Sequence, residues 1–110
     1  MGSNLVSWLL IGVSVVSEVA GTIALKHSEG FSRLLPAALA GSCYVFAVWL
    51  MSIAMKQLEM GLTYAVWAAS GTAVTAVVGM AIYGEPATVF RLLGLGLVVG
   101  GVVVLNLGTR

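Results

Sequence analysis

Apolar residues along this chain do not alternate. They form four long runs, and polar residues gather between them. A helix rises about 1.5 Å per residue, so about 20 apolar residues cross the ~30 Å hydrocarbon core of a bilayer. The pattern predicts four spanning helices, over residues 5–25, 34–55, 61–83 and 88–107. Pro36 falls in the first turn of the second, where a missing N–H is tolerated. Gly84-Glu85-Pro86 breaks the third from the fourth. The expected fold is an all-α membrane protein, one four-helix domain over residues 1–110. Short connections predict that consecutive helices pack as antiparallel neighbours.

Composition strengthens this reading. The chain is 60% hydrophobic and 8% charged, against about 25% charged in a soluble domain. A net charge of +1 gives no basis for binding nucleic acid. Cys43 is the single cysteine, so no internal disulfide and no cysteine metal cluster is expected. No nucleophile–base pair, phosphate loop or metal-ligand cluster is evident, and neither an enzyme nor a cofactor is expected. The first run is a poor signal peptide. It lacks a basic flank, contains Glu18 and exceeds the usual apolar length of about 7 to 15 residues.

Eight of the nine charged residues lie in loops or at helix ends. Glu18 does not. An ionised side chain at a helix centre costs roughly 2.5–3.5 kcal/mol on insertion scales, and such residues face a bundle interior or a wet cavity. No Lys or Arg of the membrane core is available to pair with it. One reading is a site for an exchangeable cation or proton. The other is a protonated Glu kept for helix packing. Ser14, Gly21 and Thr22 share its face at helical spacing, with Ile11 and Leu25 beyond.

Aromatic side chains supply candidate walls. Tyr44 lies mid-span on the second helix and either donates to Glu18, lines a pocket or simply packs. Tyr64 and Trp67 are three apart on the third helix, and Gly71 and Thr75 continue their face. Rings near a carboxylate suit a large organic cation through cation–π attraction; the alternative is an interfacial aromatic belt. Trp49 is expected to face lipid or a neighbouring helix, and His27 to be a surface histidine. On the fourth helix Gly94, Gly96, Gly100 and Gly101 predict close helix packing, in a dimer or within one chain. Lys26, Arg33 and Arg91 stand on one side of the membrane, and Lys56 and Arg110 on the other. That charge bias fixes no orientation.

Several segments together resemble the small multidrug resistance transporters over nearly the whole chain. They are Ser17-Glu18-Val19-Ala20-Gly21-Thr22, Leu25-Lys26, Ser28-Glu29-Gly30-Phe31-Ser32-Arg33-Leu34, Gly61-Leu62-Thr63-Tyr64-Ala65-Val66-Trp67, and residues 94–106. The resemblance implies an antiparallel, dual-topology homodimer in the bacterial inner membrane, joined by its fourth helices. It also implies proton-coupled export of organic cations. By match, Glu18 is the shared proton and substrate site. Tyr64, Trp67 and Tyr44 line it, with Ser14, Gly21 and Thr22 at pocket positions. Trp8 stands where drug-exporting members usually have Tyr.

Guanidinium exporters of the family usually carry Trp three residues after the Glu; Gly21 there resembles the quaternary ammonium exporters. Glu59 replaces a common Pro, with an effect on the second loop or a pairing with Lys56. Ala69 replaces a frequent Gly and would stiffen a kink in the third helix. Some members are obligate heterodimers, so a heterodimer stays open beside self-pairing. Guanidinium or polyamine export is the alternative within transport. A small membrane assembly subunit is the alternative outside it.

Overall fold

Lipid offers backbone amides no water, so each apolar run closes its own hydrogen bonds as a helix. The computed structural model describes residues 2–109, and side chains from 5 to 108; Arg110 lies outside them. The helices are α1 (Gly2–His27), α2 (Leu34–Ala54), α3 (Met60–Ile82) and α4 (Val89–Thr109). Their bounds differ from the expected ones by no more than three residues. All four are long and apolar enough to cross a membrane.

The helices do not pack in simple chain order. α1 lies between α2 and α3, and α4 packs on α3. The expectation that α2 and α3 would be close neighbours is corrected here: α2 packs on α1, and α3 divides its packing between α1 and α4. The reason lies in the residues of α1. Ser14, Ser17 and Gly21 let α2 approach closely on one side. The Ser14 hydroxyl donates to the Ala47 carbonyl at 2.7 Å, and the Ser17 hydroxyl to the Cys43 carbonyl at 2.8 Å. Interhelical hydrogen bonds of this kind average about 0.6 kcal/mol in membrane proteins. Ala40, Ala47 and Ala54 of α2 are buried, as small residues at a tight crossing should be. The other side of α1 meets α3. Ile11, Val15, Val19 and Ala54 form a buried cluster, and Trp8, Leu58 and Trp67 pack against it.

The α1–α2 turn is strained and held. Glu29, Gly30 and Phe31 have φ of 51°, 71° and 69° in succession. Left-handed backbone costs of order 1–3 kcal/mol at a non-glycine residue. Ser28, fully buried, offsets that cost. Its hydroxyl donates to the Leu25 carbonyl at 2.7 Å and accepts the Phe31 amide at 3.2 Å. Its carbonyl takes the Arg33 amide at 3.0 Å. At the end of α3, Gly84 adopts φ 68°, and the amides of Tyr83 and Glu85 both return to the Gly79 carbonyl.

The Cα trace spans 44 × 34 × 18 Å. The chain is therefore a slab. α4, at one edge, has no buried residue in its spanning stretch.

Candidate functional site

α1 and α3 meet in register. Ser14 and Glu18 are four apart on α1, Trp67 and Gly71 four apart on α3, and each pair shares a helix face. Ser14 meets Trp67 at one level, the indole Nε1 donating to the Ser14 hydroxyl at 2.9 Å. Glu18 meets Gly71 one turn further on. A Cβ at Gly71 would strike both Glu18 carboxylate oxygens, so glycine is what admits the carboxylate there. Glu18 Oε2 is buried and has no hydrogen-bond partner among the described residues.

Beyond this level the helices part around a cavity of about 470 Å³. Glu18, Thr22 and Lys26 line it from α1, and Gly71, Thr75 and Gly79 from α3, with Tyr83 and Glu85 at the far end. Lys26 shares the cavity without pairing with Glu18. It stands two turns along α1, about 12 Å away in rise, and its Nζ lies 5.0 Å from the centre of the Tyr83 ring. His27, exposed as expected, also holds that ring: its Nε2 is 2.8 Å from the Tyr83 hydroxyl. Glu85 lies against Gly79 and pairs with Arg91 at 3.6 Å. Both partners are half-exposed, so the pair adds little stability, at most about 1 kcal/mol.

The structure distributes the expected site residues over several places. Glu18 and Thr22 line the cavity. Thr22 also donates to the Glu18 carbonyl at 3.0 Å and lies 2.7 Å from the Tyr44 hydroxyl. Each hydroxyl carries one proton and can accept from the other, so the Thr22–Tyr44 bond forms with either as donor. Tyr44 thus bonds Thr22, where a donation to Glu18 was one expectation. Tyr64 and Trp67 lie on the α3 face below Gly71, edge to face with centroids 5.8 Å apart. Ser14 sits at their level, fully buried.

Gly21 points to α2. A Cβ there would lie 3.0 Å from Cys43 Cβ and 3.3 Å from the Ala40 carbonyl oxygen. Trp8 packs on the core cluster. Trp49 faces outward beside Phe46, their rings 6.0 Å apart. Gly94, Gly96, Gly100 and Gly101 have open space where a Cβ would be. Glu59 makes no ion pair with Lys56 among the described residues; its carbonyl accepts the Thr63 hydroxyl at 2.6 Å. α3 runs unbroken past Ala69, which is buried.

In the sequence Lys26, Tyr83 and Glu85 stand only at helix ends and in loops. The signal for Tyr83 was present: Gly71, Thr75, Gly79 and Tyr83 follow one another at four-residue steps along α3.

A membrane-embedded carboxylate beside a cavity between spanning helices makes this a multi-pass membrane protein of the transporter class. The family model described as Small Multidrug Resistance protein matches residues 6–98. The chain belongs to the small multidrug resistance family. It is 39% identical over 101 residues to the quaternary ammonium compound-resistance protein QacF of Klebsiella aerogenes, covering 92% of each chain. It is 38% identical over 103 residues to the guanidinium exporter of Yersinia pseudotuberculosis, covering 94% of this chain and 99% of that one. To the nicotine metabolites export pump subunit NepB of Paenarthrobacter nicotinovorans it is 36% identical over 103 residues, covering 94% of this chain and 62% of the other. Membership makes the protein an efflux transporter and not an enzyme, and it fits the bacterial inner membrane. The reading as a non-transporting assembly subunit is set aside.

Proposed function

We propose that the protein exports hydrophobic and quaternary ammonium cations in exchange for protons, as an antiparallel homodimer in which Glu18 binds proton and cation in turn. The observation that carries this reading is the orphaned Glu18 Oε2, held against Gly71 at the head of a cavity. A carboxylate without an internal counter-charge is stable in lipid only when a proton or a cation neutralises it. One site that takes either, and never both, couples the two flows by competition. Acid displaces the cation because protonation removes the charge that holds it. Differential occupancy then shifts the population of inward- and outward-open states. Tyr64 and Trp67, below the cavity and outside its lining, would offer ring faces to cations of many shapes that reach Glu18 from that side. Thr22 and Tyr44 hold α1 and α2 together beside the carboxylate.

Gly21 supports quaternary ammonium ions as the substrate class. The Trp usual at this position in guanidinium exporters has no room between α1 and α2 here. Identity alone does not choose, at 39% and 38% to relatives of the two kinds. Export of guanidinium is thus the second reading, and pairing with a different subunit is the alternative suggested by NepB.

The test uses purified protein in liposomes. A proton gradient should drive tetraphenylphosphonium uptake, and Glu18→Gln should reduce it to the level of protein-free vesicles. Coupled uptake by the variant would end the central role of Glu18. On a supported membrane, quaternary ammonium ions should give larger currents than guanidinium; the reverse order would establish the second reading.

A further inference from the structure

Ser14 stands apart from the cavity residues. It has no exposed surface at all, yet its hydroxyl joins three helices. The indole N–H of Trp67 on α3 donates to it at 2.9 Å, and it donates to the Ala47 carbonyl on α2 at 2.7 Å. The directions are fixed by chemistry. An indole nitrogen only donates, a carbonyl only accepts, and serine has one proton. The chain of donation therefore runs from Trp67 through Ser14 to Ala47, and such chains polarise cooperatively. Ala47 is itself fully buried, so the acceptor end is anchored in the α1–α2 crossing. The same face of α1 carries Glu18 one turn on, and the same face of α3 carries Gly71 one turn beyond Trp67. Ser14 thus fixes the indole at the level next to the carboxylate.

We propose that Ser14 is a positioning residue for substrate selection, which sets the plane of the Trp67 ring and does not itself contact the cation. This rests on the reading that Trp67 stacks on the transported cation. With Nε1 tethered, the indole cannot rotate about its own plane, and its edge-to-face contact with Tyr64 sets the second direction. The pair then presents one ring geometry to incoming cations. A freed indole samples several, and aromatic cations lose more by that than compact alkylammonium ions, which touch less ring surface.

Two measurements test this. The first is the indole proton resonance of Trp67 in nitrogen-15 NMR of the dimer in lipid bicelles, assigned by its loss in Trp67→Phe. In the wild type it should exchange slowly with solvent. In Ser14→Ala it should shift and exchange faster, while the indole signals of Trp8 and Trp49 stay in place. An unchanged Trp67 signal overturns the proposal. This arm requires no transport, so it stands or falls separately from the efflux reading.

The second is a double-mutant cycle on the ratio of kcat/KM for tetraphenylphosphonium to that for tetraethylammonium. Ser14→Ala alone should lower the ratio roughly five- to tenfold, the worth of one hydrogen bond, chiefly through KM. In the Trp67→Phe background, where no N–H remains to hold, Ser14→Ala should change the ratio no further. An equal loss in both backgrounds would mean that Ser14 touches substrate directly, and would overturn the positioning role.

Discussion

At the scale of single residues, the Glu18–Gly71 contact separates function from stability. A Cβ at position 71 would meet only the Glu18 carboxyl group among the three nearest atoms. That group is the far end of a flexible side chain, so it moves and the backbone does not. Gly71→Ala should therefore fold well, because alanine is favoured over glycine in a helix by about 1 kcal/mol. The carboxylate, however, is driven from its place at the cavity head. We expect tetraphenylphosphonium affinity to fall roughly tenfold, a loss of about 1.4 kcal/mol, with the unfolding midpoint unchanged or raised. Isothermal titration and a thermal melt on the same sample check both. Unchanged affinity would show that the carboxylate works elsewhere than where Gly71 holds it. Gly79 stands to Glu85 as Gly71 stands to Glu18. Gly79→Ala displaces a carboxylate that is half-exposed and paired with Arg91, and should leave affinity within about twofold, a difference of ~0.4 kcal/mol.

At the scale of elements, α1 carries two faces and serves a different helix with each. Helical geometry explains why the sequence showed them as one. Gly21 and Thr22 both lie near Glu18 at three- and four-residue spacing, but successive residues point about 100° apart. Gly21 accordingly turns to Cys43 and Ala40, and Thr22 reaches both Tyr44 and the cavity. The spans were legible because lipid admits few alternatives to an apolar helix. Glu18 was legible because nothing else in its run is charged. The pairing of helices was not, since short loops suggested α2 beside α3, whereas small residues on one side of α1 draw in α2 and the apolar side beside them packs on α3. The bond from Trp67 to Ser14 was equally hidden, because it depends on the register between α1 and α3. The α1–α2 turn shows a similar limit: Gly30 announces a left-handed turn, but Glu29 and Phe31 beside it do not. The two-faced helix has a direct test. Gly21→Leu overpacks the α1–α2 crossing and should cost about 1–3 kcal/mol in chemical unfolding from mixed micelles. Gly12→Leu, where a Cβ meets nothing within 4 Å, should leave the transition near that of the wild type. Equal costs at the two positions would reject the tight crossing.

At the scale of the whole molecule, the proposed pairing of two copies is where the open surfaces of the chain bear on function. The chain is 18 Å across its thinnest Cα dimension, and α4 touches little besides α3. A Cβ at Gly94, Gly96, Gly100 or Gly101 would meet nothing within 4 Å. Gly94 borders a groove shared with α3, and Gly96 and Gly100, about 200° or more round the helix from it, leave a close-packing surface open at one edge. A second copy would cover it, and the loop charges bear on how that copy is oriented. Lys26, Arg33 and Arg91 on one side are set against Lys56 and Arg110 on the other. Since positive charge in short loops sets orientation, three against two permits insertion both ways. If the working unit needs one copy of each orientation, chains forced into a single orientation cannot form it. Gln57→Lys with Glu59→Lys adds two positive charges to loop 2, the α2–α3 connection over residues 55–59, on exposed positions, and biases the chain one way. Ala87→Lys with Lys56→Gln biases it the other way. In a Cys43→Ala background, a cysteine placed in loop 2 should react with a membrane-impermeant maleimide from both sides of the membrane in the otherwise unaltered chain. In either biased variant it should react from one side only. Each variant expressed alone should fail to protect cells against a toxic quaternary ammonium ion, and the two expressed together should protect. Labelling of the unbiased chain from one side alone, or full protection by either biased variant alone, would reject the inverted pair and leave a parallel dimer or a different partner subunit as the working assembly.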